Sequence, residues 1–334
     1  MWDGVRMCAR VWEWDGAGAG EQERAQWARV YAGGEAQVAG GGLSAGEVAE
    51  RVRGSGSPQV WRWAACTGSG GAVVGVGELR RQPFDASVGA LRLYVEPGAR
   101  RQGLGTWLRA AALERARSEG MERTQSTVVA GPQGEDFART SPWLRTVLAL
   151  ELHQQVLDEP TLARCRSLAS SPRPGYRPAH WVGPAPDALA ASFGRVMGHL
   201  LEAPGAGLRG AGPWGAQQVR AWERRMGEDG ARLVVGAVLD RTSDGVVAAT
   251  ASTVTRAQVA LQHDTAVLPQ HRRKGLAIRV KAAQALRIHE YFPHVRVLSV
   301  MVEPAHAAMV ALNRSLGYAR VGERLLVEED LRRG

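Results

Sequence analysis

The chain has 334 residues, 45% hydrophobic and 22% charged, the composition of a soluble globular protein long enough for two domains that each bury a core. Its net charge of +9 is almost all arginine spread along the chain, with Lys274 and Lys281 as the lysines, so a nucleic-acid partner is not expected. No stretch approaches the roughly 18 apolar residues of a membrane span, and charges interrupt the first 14 residues, unlike a signal peptide. Cys8, Cys66 and Cys165 form no Cys-x-x-Cys pair, which implies neither a disulfide framework nor a metal site. The cytoplasm is the expected compartment, with no membrane partner.

In chain order, residues 8–14 read as a short strand and 21–31 as a helix. The glycine-rich stretch 32–42 reads as a loop. A second helix covers 44–53, with Ser44 and Glu47 spaced as a capping box. Residues 61–66 and 72–79 alternate or run apolar, as in an antiparallel meander, and 91–95 is a further strand. A helix over 104–118 stops at Gly120. Residues 124–129 and 147–157 read as strands that complete the first half. The segment 159–180 carries Pro160, Pro172, Pro174 and Pro178, and reads as a stiff linker without regular structure. Helices at 187–201 and 217–228 flank a glycine- and proline-rich loop, 203–215. The strands 233–239, 246–253 and 259–268 form a second meander, with a hairpin turn at Asp244-Gly245.

One stretch occurs twice. Val95-Glu96-Pro97-Gly98-Ala99-Arg100-Arg101-Gln102-Gly103-Leu104-Gly105 aligns without a gap on residues 267–277, at a constant interval of 172. Leu108-Arg109-Ala110-Ala111 likewise aligns with Val280-Lys281-Ala282-Ala283. Each copy is a strand broken by a proline, then a basic glycine turn, then a helix. The first N–H groups of a helix have no internal partner and carry the positive end of its dipole. A glycine turn lets an anion approach them, so each copy is a candidate phosphate cradle.

Arg-x-x-Gly-x-Gly/Ala, after a strand and Val-x-Pro and before a helix, resembles the acetyl-CoA-binding motif of the GCN5-related N-acetyltransferase (GNAT) family. In the second copy, Met309, Asn313 and Leu316-Gly317-Tyr318 also resemble that family's closing pattern. The tandem layout is similar to mycothiol synthase-like proteins and to glycopeptide amino-sugar N-acyltransferases. The resemblance implies an α/β (α+β) fold of two tandem GNAT domains, each a mixed, mostly antiparallel twisted sheet flanked by helices. It implies an N-terminal domain over 1–158 that is degenerate, the linker at 159–180, and a catalytic C-terminal domain over 181–334. The donor would be acetyl-CoA or a longer acyl-CoA, with no metal, and the partner a small-molecule amine, on a monomer or homodimer.

The same resemblance implies the site residues. The thioester would lie near Val267, with Arg272, Arg273, Lys274, Gly275, Leu276 and Ala277 serving the phosphates. Val95, Arg100, Arg101, Gln102, Gly103, Leu104 and Gly105 are their counterparts in the first copy. Asn313 stands where many members carry a tyrosine general acid; an asparagine hydrogen-bonds but does not titrate. A general base near neutral pH calls for histidine or a perturbed carboxylate. His199, beside the 203–215 loop, His263 on the strand into the cradle, and Glu303 after the next strand are the candidates, with Asp264 and His306 as neighbours. The expected activity is acyl transfer to a primary amine, for example an amino sugar of an antibiotic or other secondary metabolite. A mycothiol synthase-like acetylation and a non-catalytic acyl-CoA sensor are the alternatives. The 203–215 loop is the expected lid over the acceptor.

Overall fold

The computed structural model describes residues 9–54, 59–68, 71–82, 85–171, 173–199, 214–227 and 230–333. Cys8, Pro172 and residues 203–213 of the expected lid lie outside the described residues. The first half of the chain gives β1 (Ala9–Glu13), α1 (Glu21–Ala39), α2 (Ala45–Arg53), β2 (Val60–Thr67), β3 (Val73–Arg81), β4 (Val88–Val95), α3 (Leu104–Ser118), β5 (Arg123–Val129), α4 (Pro132–Ala138) and β6 (Leu144–Val156). The second gives α5 (Glu159–Ser170), β7 (Tyr176–Val182), α6 (Asp187–Gly198), α7 (Ala216–Gly227), β8 (Arg232–Asp240), β9 (Val246–Val254), β10 (Val259–Val267), α8 (Leu276–Tyr291), β11 (Val297–Val302), α9 (Ala307–Ser315) and β12 (Ala319–Asp330).

Two compact units result. Unit 1 is Met1–Val38, Leu43–Val147 and Leu325–Gly334; unit 2 is Ala39–Gly42 and Leu148–Arg324. In unit 1 the strand order is β1-β2-β3-β4-β5, with the end of β12 beyond β5. In unit 2 the order is β6-β11-β10-β9-β8-β7. Within each unit the neighbours are antiparallel along β1-β2-β3-β4 and β7-β8-β9-β10, while β4 with β5 and β10 with β11 are parallel. Each is therefore the expected mixed, mostly antiparallel sheet with helices on it.

Alternation along the strands supplies two cores in unit 1. Leu79, Leu91 and Trp63 meet Leu104, Leu108 and Ala112 of α3, while Ala64 and Val76 meet Trp27 and Tyr31 of α1 on the other face. In unit 2, Val234, Val254, Ala260 and Leu298 pack against Ala282, Ala285 and Ile288 of α8. The capping box forms as read: Glu47 N–H reaches Ser44 Oγ at 3.3 Å, and Ser44 N–H reaches Glu47 Oε2 at 2.9 Å.

Three expectations need correction. Residues 32–39 continue α1 rather than looping, because Gly34 is where the ring of Tyr94 packs; a Cβ there would sit 2.1 Å from Tyr94 Cγ. The segment 159–180 is no irregular linker but α5 and β7. Pro160 falls in the first turn of α5, where no amide donor is needed, behind an Asp158 cap, and Pro178 lies on the edge strand β7. The strand read at 147–157 does not complete the first half: from Leu148 onward the chain belongs to unit 2, where β6 pairs with β11, and the chain's last residues take the outer place in unit 1.

Candidate active site

The duplicated turns fold alike. Each strand runs into one 3₁₀ turn, Pro97–Ala99 or Pro269–His271, which the proline's fixed φ favours. Arg101 and Arg273 then take φ of 63° and 60°, and Gly103 and Gly275, capping α3 and α8, take 83° and 71°. A left-handed arginine costs on the order of 1–2 kcal/mol, so its recurrence at one repeat position marks a geometry the fold imposes. Arg100 and Arg272 brace the strand ends: Nε donates to the carbonyl of Val95 at 3.0 Å and of Val267 at 3.1 Å. The first N–H groups of α3 and α8, including those of Leu104, Gly105, Leu276 and Ala277, are left for an anion. Gly105 lies against Phe137, where a Cβ would come within 3.1 Å of the ring, so this packing beside the turn depends on glycine.

Beyond the turns both parallel pairs splay. Val88, Gly89 and Ala90 pair with Arg123, Thr124 and Gln125, and Val259, Ala260 and Leu261 with Val297, Leu298 and Ser299, and there pairing stops. In unit 1 the splay holds a cavity of about 80 Å³, walled by Leu91, Arg92, Leu93 and Tyr94 of β4 and by Thr124, Ser126, Thr127 and Val128 of β5. Successive side chains of β4 point to opposite faces of the sheet, Leu91 and Leu93 to one and Arg92 and Tyr94 to the other. Toward α3 it meets Arg109, Phe137 and Glu329. Arg109 grips Glu329 with two bonds, 2.7 and 3.0 Å, and Ser141 Oγ donates to the same carboxylate at 2.8 Å.

Toward α1 lies a polar chain that sequence reading missed. Tyr94 OH donates to Glu35 Oε2 at 2.6 Å, Arg92 donates to Tyr31 OH at 2.6 Å, and Tyr31 OH donates to Glu78 at 2.9 Å. Glu78 is fully buried among Arg51, Arg62 and Arg80 at 3.2, 2.8 and 2.8 Å. Burial pushes its pKa up, but the guanidiniums of Arg80, Arg51 and Arg62 outweigh it and hold the carboxyl well below its usual range. Burial, reinforced by Glu35, raises the Tyr94 phenol, which stays protonated as a donor. The signal was present as polar residues on an apolar strand and helix, Arg92, Tyr94 and Tyr31, but their partners are tens of residues away.

Unit 2 carries different contents at the same place. Lys281, at the repeat position of Arg109, is 2% exposed, with Nζ 2.6 Å from Asn313 Oδ1 and 4.9 Å from the centre of the Tyr318 ring. Burial alone lowers its pKa to about 7. Tyr318 OH donates to Gln262, which bonds Gln284 and Thr250, tying strand and helices together at the point of the splay. At the turn, Arg173 Nε donates to the Lys274 carbonyl at 3.2 Å, and Lys274 Nζ to Tyr176 OH at 3.0 Å. Tyr176 OH also meets His271 Nδ1 at 2.9 Å, and burial with Lys274 lowers the His271 pKa.

The expected catalysts are not gathered into one cluster. Asn313 is fully buried, on the α8 side of the sheet, and His263 pairs with Thr253 Oγ1 at 2.7 Å, on the opposite face. A bulge between Gln262 and Thr265 carries His263 and Asp264, so simple alternation does not place them. Glu303 is half-buried with Oε2 lacking a hydrogen-bond partner, His199 caps α6, and His306 caps α9 by accepting from Met309 N–H at 3.1 Å. Among the described residues no group of three His, Cys, Asp or Glu side chains could hold a metal, and no helix is long and apolar enough to cross a membrane.

A sheet splayed over a glycine turn that caps a helix, built twice, defines a tandem acyltransferase-type fold. Residues 50–136 match the model of the acetyltransferase (GNAT) family. The whole chain is similar to a tandem GNAT protein from the clavulanic acid biosynthesis pathway, at 22% identity and a TM-score of 0.75 over 97% of this chain and 98% of that one. It is also similar to a GCN5-related N-acetyltransferase from Sphaerobacter thermophilus, at 17% identity and a TM-score of 0.63 over 98% and 96%. A glucosamine N-acetyltransferase region of a fungal multi-domain enzyme aligns at 14% identity and 0.61, over 96% of this chain and 38% of that one. No curated protein matches the sequence. Residues 50–136 thus carry a GNAT-family acetyltransferase domain, and the chain as a whole has the fold of a tandem GNAT protein. The family's donor is acetyl-CoA.

Proposed function

We propose that the protein transfers an acyl group from coenzyme A to a primary amine of a small molecule, an amino sugar of an antibiotic or other secondary metabolite being the favoured class. The observation that supports this is the cavity at the β4–β5 splay, whose lining includes Tyr94, the donor to Glu35, on the strand that runs into the glycine turn capping α3. An acyl-pantetheine arm laid in the splay exposes its thioester to backbone N–H groups, and an amine arrives from the α1 face. Orientation and polarisation then supply most of the rate, with no covalent enzyme intermediate. The amine's proton passes to Tyr94 oxygen as the phenol's own proton moves to Glu35, a relay that the 2.6 Å contact supports. Of two proteins sharing this fold, one is described as from clavulanic acid biosynthesis, which supports a secondary-metabolite acceptor, and one as a glucosamine N-acetyltransferase region, which supports an amino sugar.

The test is thiol release from acetyl-, octanoyl- and decanoyl-CoA over a panel of amines that includes glucosamine and other amino sugars. Release that requires the amine is the expected result. Coenzyme A binding without release from any donor–amine pair would favour the acyl-CoA sensor instead.

A further inference from the structure

We infer that the two units have divided the work: unit 1 binds the acyl donor, and unit 2 is closed by Lys281, whose side chain fills the place where the acyl group would lie. This rests on the acyl-CoA reading above and reverses the expectation that the second half is the catalytic one. The same repeat positions, 172 residues apart, carry different neighbours in the two units. On the helix after each turn the repeat position is a long cation: Arg109 lines the cavity at the unit 1 splay, and Lys281 reaches Asn313 and the ring of Tyr318, whose hydroxyl bonds Gln262 of β10. In unit 1 the end of β12 brings Glu329 to Arg109, and the bidentate pair holds the guanidinium at the cavity's wall. In unit 2 the partners of Lys281 are the Asn313 amide and the Tyr318 ring, with Leu316 and Leu157 in the apolar core that also holds Tyr318.

Without a carboxylate to draw it aside, the ammonium goes inward to Asn313 and the Tyr318 ring, where it is almost wholly buried. An amine with its pKa near 7 is largely uncharged just above neutrality, so it can rest there without a counter-ion. The turns also differ in their neighbours: the Arg173 guanidinium lies 3.3 Å from the place of a Cβ on Gly275, and the Trp107 ring 3.6 Å from that of one on Gly103.

Titration of the full chain with octanoyl-CoA, followed by hydrogen–deuterium exchange, separates the cases. One equivalent should bind, and protection should rise in peptides spanning 91–95 and 124–129 but not 262–267 and 299–303. Two equivalents, or protection confined to β10 and β11, would overturn the division of work while leaving the donor reading intact. No heat and no protection anywhere would sink the donor reading itself and the inference with it. Lys281→Ala empties the position and should add protection over 262–267; unit 1 protection alone in that variant would show that something other than Lys281 closes unit 2.

Discussion

Lys281→Met is the most informative perturbation, because it replaces a buried amine by an apolar chain of nearly the same length. Moving the lysine from its ordinary pKa of 10.5 to about 7 corresponds to about 5 kcal/mol of lost stability, at ~1.4 kcal/mol for each tenfold. The sign follows from proton counting. Above pH 10.5 the amine is neutral folded and unfolded, and burial carries no penalty. Between 10.5 and 7 the unfolded chain takes up a proton that the folded one refuses, so stability falls as pH falls. Below 7 both states are protonated and the full penalty persists. Methionine removes it but leaves Asn313 Oδ1 without its 2.6 Å donor, which returns ~1–3 kcal/mol, so a net gain of about 2–4 kcal/mol is expected at neutral pH. Urea unfolding of both proteins from pH 7 to 10 reads the difference directly, and the advantage of methionine should shrink steadily over that range. A difference that is flat with pH would refute the reasoning, since it would mean that Lys281 does not exchange its proton on folding.

Gly34→Ala should displace the Tyr94 ring, costing ~1–3 kcal/mol in thermal unfolding and reducing turnover more than donor affinity. Tyr94→Phe keeps the ring and removes the phenol; turnover should fall about 10- to 100-fold at unchanged coenzyme A affinity, and an unchanged rate would remove the proposed relay. Glu78→Gln leaves three guanidiniums without their carboxylate and should cost about 3 kcal/mol or more at pH 7. The depressed folded pKa of Glu78 gives stability that is present above the ordinary carboxylate range and is lost as pH falls through the folded value, so the gap to wild type should close in acid. Gly103→Glu places a carboxylate and a Cβ at a left-handed position of the unit 1 turn, and should weaken coenzyme A binding at least tenfold by calorimetry.

The features legible in the sequence were those that act over a few residues. Proline, a bracing arginine and a left-handed glycine dictate the turn locally, so one motif at 100–105 and 272–277 gives one geometry, down to the φ of Arg101 and Arg273. Proline and glycine counts misled where tertiary position decided their effect. Pro160 needs no donor in a first helical turn, and Gly34 is helical because an aromatic ring covers it. What lay beyond reach was the placement of the last strands. β6 carries residues that follow the first turn motif, yet from Leu148 it is part of unit 2, while residues after Leu325 complete unit 1. That placement, and no motif, puts Glu329 beside Arg109. The sequence shows two equivalent cations on two equivalent helices. Their surroundings differ because the partners come from elsewhere in the chain, Glu329 to Arg109 and Asn313 with Tyr318 to Lys281, so the duplicated motif marks two equivalent places and the segments that arrive beside them make the two unlike.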